Sequence, residues 1–171
     1  MFKELSVNPR LEKIDPGVVI RINEGEICRY ADKSKWIEEA ERVFGKGDHR
    51  GFWNKVRDID DISWQLVENN WKIPPVSLGD YLSSIRLSNL KGLRLLSPLF
   101  KSTSNAVKKY KLSENPQFVR FLKEQLLITT QNSMEDAPFL TASMGLAYPS
   151  ETYYPYSSMY EPARMIMEKF N

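Results

Sequence analysis

The sequence predicts an α+β fold, mostly helical, in which amphipathic helices pack with a small antiparallel sheet formed by an N-terminal hairpin and a C-terminal strand. Three observations carry this. Apolar residues recur at helical spacing in several segments, a glycine-bearing polar turn separates two β-rich runs near the start, and a tyrosine-rich run lies near the end.

In chain order, Val18–Ile22 leads into Asn23, Glu24, Gly25 and Glu26, and Ile27 to Tyr30 return, which reads as a β-hairpin. Asp32 is placed as an N-cap for a helix whose apolar face is Trp36, Ile37, Ala40, Val43 and Phe44, ending near Gly45. After a short loop, Phe52, Trp53, Val56, Ile59, Ile62, Leu66 and Val67 define a second amphipathic helix. Pro74 and Pro75 stop the chain's next element, and Ser77 caps a short helix through Tyr81, Leu82 and Ile85. A leucine-rich stretch from Leu87 to Phe100 carries a break or kink at Pro98. Asn115 and Pro116 open a helix containing Phe118, Val119, Phe121, Leu122, Leu126, Leu127 and Ile128, with an almost wholly apolar far end. Residues 134 to 147 give another helix, with Pro138 near its start. Tyr153, Tyr154 and Tyr156 then suit a strand that Pro155 confines to an edge or end, and Glu161 and Pro162 open a last helix through Ile166, Met167 and Phe170.

The 171 residues suffice for one domain with a real core, and 42% hydrophobic with 27% charged residues is an ordinary globular composition rather than a disordered one. The sequence holds no apolar run of membrane-spanning length and starts without a signal-peptide pattern, so a cytoplasmic setting is expected, with peripheral membrane contact. Cys28 is the sole cysteine, which excludes an internal disulfide and a cysteine-rich metal site. His49 is the sole histidine, read as a surface residue of a turn, so neither a histidine metal cluster nor a Ser/His/Asp set can be assembled. Asp58, Asp60 and Asp61 suggest a cation site, but Asp58 and Asp61 fall on the polar side of a strongly amphipathic helix, so a solvated face is the reading and no metal is expected. Gly45, Gly47 and Gly51 approach a dinucleotide fingerprint but follow a helix instead of a buried strand, so they read as a helix-to-helix turn. The sequence names no catalytic acid, base or nucleophile.

The net charge of +2 conceals a block: residues 85 to 123 carry nine lysines and arginines against Glu114 alone. Leucines alternate irregularly with these cations, as in helices that lie on a membrane surface, and aromatics are too few there for base stacking, so no nucleic acid is expected. Arg86, Lys91, Leu93, Arg94 and Leu96 are the candidate membrane-contact residues. A solvated exterior is the alternative.

Several stretches together resemble one family. "RYADKSKWIEEAERVFGKGDHRGFW" after the hairpin, "FVRFLKEQLLITTQNSMEDAPFLTASMGLAYPS" and "YYPYSSMYEPARMIMEKF" are similar to the substrate domain of the phytoene desaturase-like FAD-dependent oxidoreductases, which include carotenoid desaturases, carotenoid isomerases and retinol saturases. The resemblance covers most of the chain and is more specific in its second half. It implies that residues 1–171 form one domain, a substrate-binding insertion whose partner is the flavin-binding domain of the same polypeptide, with FAD bound by that parent enzyme and none by this chain alone. It implies a long apolar small-molecule substrate such as a polyene, and places Gln131, Asn132, Met144, Tyr148, Tyr154, Tyr156 and Met159 along its channel. The isolated chain would then be catalytically silent. Where the family commonly has two glycines and a methionine, this sequence has Ser157, Ser158 and Met159, which favours a divergent relative. A freestanding helical module that meets an anionic membrane surface or an acidic partner is the alternative from the residues alone.

Overall fold

A computed structural model describes residues 6–22, 25–68, 87–148 and 152–170. They fall into two compact units, Met1–Trp36 with Pro149–Asn171, and Ile37–Tyr148. The fold is α+β and mostly helical. The elements are β1 (Leu11–Ile14), β2 (Val18–Ile22), β3 (Gly25–Arg29), α1 (Lys33–Phe44), α2 (His49–Glu68), a 3-10 helix (Leu87–Leu95), α3 (Leu96–Phe100), α4 (Thr103–Lys109), α5 (Pro116–Thr129), α6 (Phe139–Leu146), β4 (Thr152–Pro155) and α7 (Glu161–Phe170). The helix expected from Ser77 to Ile85 lies outside the described residues.

In the first unit β2 and β3 form the expected hairpin, running from Val18 opposite Arg29 to Ile22 opposite Gly25. The C-terminal strand β4 pairs antiparallel with β1, from Leu11 opposite Pro155 to Ile14 opposite Thr152. The sheet is therefore two separate ribbons, and β1 is an element the sequence did not announce. Its four residues, LEKI, are too short and too charged to signal a strand by pattern. Pro155, at the end of β4, sits where a missing N–H costs no ladder bond. The small core of this unit contains Ile27 and Trp36, with the Arg29 guanidinium 4.0 Å over the Trp36 ring.

The second unit is built on α2, whose Phe52, Trp53, Val56 and Ile59 are fully buried. Phe52 meets Trp53, Phe118 and Phe139 at ring separations of 5.1, 5.7 and 5.8 Å, so α2, α5 and α6 share one aromatic core. Each such ring removed from water contributes roughly 1.5–3 kcal/mol. Local signals end the helices where expected: the Asp32 carboxylate accepts from the Lys35 N–H at 2.8 Å, and Gly45, at φ 71°, supplies the left-handed residue that closes α1. In the leucine-rich stretch the change of helix type falls between Leu95 and Leu96, and Pro98 sits in the first turn of α3, where proline is tolerated. The seven-residue α4, opened by the Ser102 hydroxyl accepting from the Asn105 N–H, was not anticipated from the sequence.

One position corrects the sequence reading. His49 is not a surface residue but wholly buried, stacked on Phe44 at 5.9 Å and edge-on to Phe118 at 5.1 Å. It opens α2 one turn before Trp53, so it lies on the core face of that helix.

Candidate functional site

Four of the seven expected substrate residues, Gln131, Asn132, Met144 and Tyr148, follow the end of α5 or lie at the end of α6. The Thr129 and Thr130 hydroxyls donate back to the Gln125 and Leu126 carbonyls, and Gln131 then leaves the helix at φ 53°. A Cβ at Gly145 would lie 2.6 Å from Thr129 Oγ1, so only glycine lets α6 approach α5 this closely. This contact joins the ends of α5 and α6, with Gln131 and Asn132 following α5 and Met144 and Tyr148 at the end of α6. Leu127, Ile128 and Tyr148 are exposed, at 67%, 74% and 55%. Met144 is half-buried. This end of the unit offers apolar side chains and two side-chain amides, followed in the same loop by Asp136, whose carboxylate accepts from the Ser133 hydroxyl at 2.6 Å.

Tyr154, Tyr156 and Met159 belong to the first unit. Tyr153 and Tyr154 are consecutive in β4, so their side chains take opposite faces of the ribbon, yet both remain about half exposed, at 45% and 46%. Thr152 is partly buried and Pro155 buried, so the exposure of β4 is concentrated at the two tyrosines. Tyr156, whose N–H donates to the Arg10 carbonyl at 2.9 Å, and Met159 are more exposed still. The following helix α7 is strongly amphipathic in sequence and buries none of its residues. Met167 and Phe170 lie open to solvent on it.

Of the membrane-contact candidates, Arg86 lies outside the described residues. Leu93 and Leu96 are exposed, as are Leu99 and Phe100, the last at 83%. Lys91 is exposed, whereas Arg94 is engaged: it donates to Asp58 Oδ2 at 3.0 Å, the same oxygen that accepts from Lys55 Nζ at 2.9 Å. Beside this segment lies a cavity of about 280 Å³ in the second unit. Its floor is Pro98, Ala106 and Phe139, and its rim carries Lys55, Lys101, Asn105 and Lys109. The lysines were visible in the sequence, but their convergence across α2, α3 and α4 was not, because nothing in a periodic pattern reports which helices meet.

Burial shifts two side chains of α2 in opposite directions. Burial pushes the His49 imidazole below its usual range, against the pull of Glu41 and Asp48. Burial likewise raises Asp60, against the opposing effect of Arg57. Asp60 is buried and Asp61 exposed, with Asp58 intermediate between them. Among the described residues no cluster of three His, Cys, Asp or Glu could hold a metal ion. The Gly45–Gly51 turn does not fit a flavin dinucleotide: α1 precedes it instead of a strand, and the Asp48 carboxylate takes the Gly51 N–H at 2.7 Å, filling with an anion the place a phosphate would need. No described helix is long and apolar enough to cross a membrane. No protein-family model, curated protein or solved structure matches the chain.

Proposed function

We propose that this chain is the substrate-binding segment of an FAD-dependent oxidoreductase of the phytoene desaturase-like kind, acting on a long apolar polyene or isoprenoid. The observation that carries the reading is the set of exposed apolar side chains in the first unit: Tyr153, Tyr154, Tyr156 and Met159 around β4, and Met167 and Phe170 on an amphipathic helix with no buried residue. Large apolar side chains gathered on a surface suit a site that another body covers. The resemblance supplies that body, the flavin-binding domain of the same polypeptide, and gives Gln131, Asn132, Met144, Tyr148, Tyr154, Tyr156 and Met159 their place along the substrate. FAD would supply the hydride chemistry, and this chain's residues would hold and orient the substrate.

The test is to immunopurify the native polypeptide with an antibody raised against this chain, measure its mass, and release its cofactor by denaturation. A polypeptide several times larger that yields FAD supports the reading. One of this length without flavin replaces it with the second reading, a freestanding module on an anionic membrane surface, which the exposed Leu93, Leu96, Leu99 and Phe100 favour.

A further inference from the structure

The cavity beside α3 has a mixed chemistry. Its floor is apolar, while Lys55, Lys101 and Lys109 with the Asn105 amide surround its mouth. Asp58 neutralises part of this charge through Lys55, which leaves the exposed Lys101 and Lys109 as the cations facing a ligand, the Lys109 ammonium resting 5.3 Å from the centre of the Tyr110 ring that also lines the cavity. Lysine ammonium groups are compact charges suited to phosphate oxygens.

The walls are held in place before any ligand arrives. The Phe139 N–H donates to the Lys101 carbonyl at 2.7 Å, and both the N–H and hydroxyl of Thr103 donate to the Ala137 carbonyl, at 2.9 and 3.0 Å. The start of α6 is thereby tied to the loop and helix that carry the lysines, so ligand binding costs little ordering.

The order of residues along the segment then identifies the ligand. Leu96 is exposed, Ser97 and Pro98 line the cavity, Leu99 and Phe100 are exposed, and Lys101 lines the cavity again. An apolar edge and a cationic pocket thus alternate within six residues, which suits a molecule presenting an anionic head beside an acyl layer. We propose that this cavity holds the phosphate head of an anionic phospholipid while Leu96, Leu99 and Phe100 rest among the acyl chains. The site does not depend on the flavin reading. It gives the membrane contact a specific partner, and flavin content and lipid selectivity are measured separately.

Co-sedimentation of the 171-residue chain with phosphatidylcholine vesicles, with and without phosphatidylglycerol, tests it. The chain should prefer the anionic vesicles, and Lys101→Gln with Lys109→Gln should weaken that binding about thirty-fold, two cations near the surface being lost. Lys46→Gln with Lys123→Gln, which removes the same charge elsewhere, should cost less than about threefold. Phe100→Ser should weaken binding to every vesicle and leave the anionic preference intact. Equal loss in the two lysine variants, or no preference for anionic vesicles, overturns the proposal. Glycerol 3-phosphate binding without vesicles, as tightly and with the same lysine dependence, overturns it in favour of a soluble phosphate compound.

Discussion

The Asn115 side chain serves two helices at once: its Oδ1 accepts from the Phe118 N–H at 3.0 Å at the start of α5, and its Nδ2 donates to the Phe44 carbonyl at the end of α1. One amide thus satisfies an orphan donor and an orphan acceptor that would otherwise be partly buried without partners. Asn115→Ala should destabilise the chain by about 2 kcal/mol, the sum of a lost cap and an unpaired carbonyl. Asn115→Asp keeps the cap and loses only the bond to the Phe44 carbonyl, so it should fall between the parent and Asn115→Ala. Urea midpoints of the three proteins check this order.

His49 predicts a loss of stability in mild acid. Its neutral ring is packed among Phe44 and Phe118, and neither ring nitrogen makes a hydrogen bond among the described residues. Because burial lowers its folded pKa beneath the unfolded value of about 6.5, the unfolded chain takes up the proton first. Its contribution is complete above that pH and is lost as the pH falls toward the lowered folded value. His49→Phe should remove this part of the dependence, seen as a smaller difference between urea midpoints at about pH 7.5 and about pH 5.5.

Asp60 has the opposite sign. Its folded pKa is raised by burial, so the folded chain holds the proton more tightly, and stability falls as the pH rises from the unfolded value of about 3.9 through the folded one. Asp60→Asn retains an oxygen for the Trp64 side-chain hydrogen bond and removes the buried charge. A higher thermal midpoint than the parent at neutral pH is expected, with the gain vanishing in acid; a lower midpoint at neutral pH would show that the carboxylate has a stabilising partner.

Gly145 sets the spacing of the α5 and α6 ends at the candidate substrate residues. Gly145→Ala should cost about 1–3 kcal/mol, since its new methyl would meet Thr129 Oγ1 at 2.6 Å and Thr129 Cβ at 2.7 Å. Thr129→Ala removes only the first contact, so it should rescue little, whereas Thr129→Gly removes both. A double-mutant cycle on urea midpoints gives the two couplings.

The parts of this fold legible in the sequence are those decided within a few residues. Asp32, Ser102 and Asn115 each cap a helix through a bond to a residue three further on. The pairing of β1 with β4 was not legible, because Leu11 and Pro155 meet across almost the whole chain and neither short strand alternates clearly. His49 and Asp60 were legible in principle. Extending the stripe of Trp53 and Val56 one turn in each direction reaches both, so at these two places position on the helix outweighs polar identity. The exposed end of α5 was anticipated as an apolar run, but its openness was not, because a periodic pattern shows that a face is apolar and not whether anything covers it.

That distinction yields the last prediction. Met167 and Phe170 are exposed on α7, a helix whose spacing marks an apolar face and whose residues are nowhere buried. If that face is covered by a flavin-binding domain, the same substitution must act differently in two settings. In the 171-residue chain, Met167→Lys with Phe170→Lys removes no buried contact, so stability should change by less than about 0.5 kcal/mol per site while self-association falls. In the larger polypeptide the two lysines would be driven into an apolar interface without partners, and the cost should appear as a lowered thermal midpoint and weaker flavin retention. Thermal unfolding and released-flavin fluorescence on both proteins make the comparison. Equal tolerance in the two settings would mean that α7 faces solvent in the native protein, and the uncovered surface would no longer argue for a flavin-domain partner.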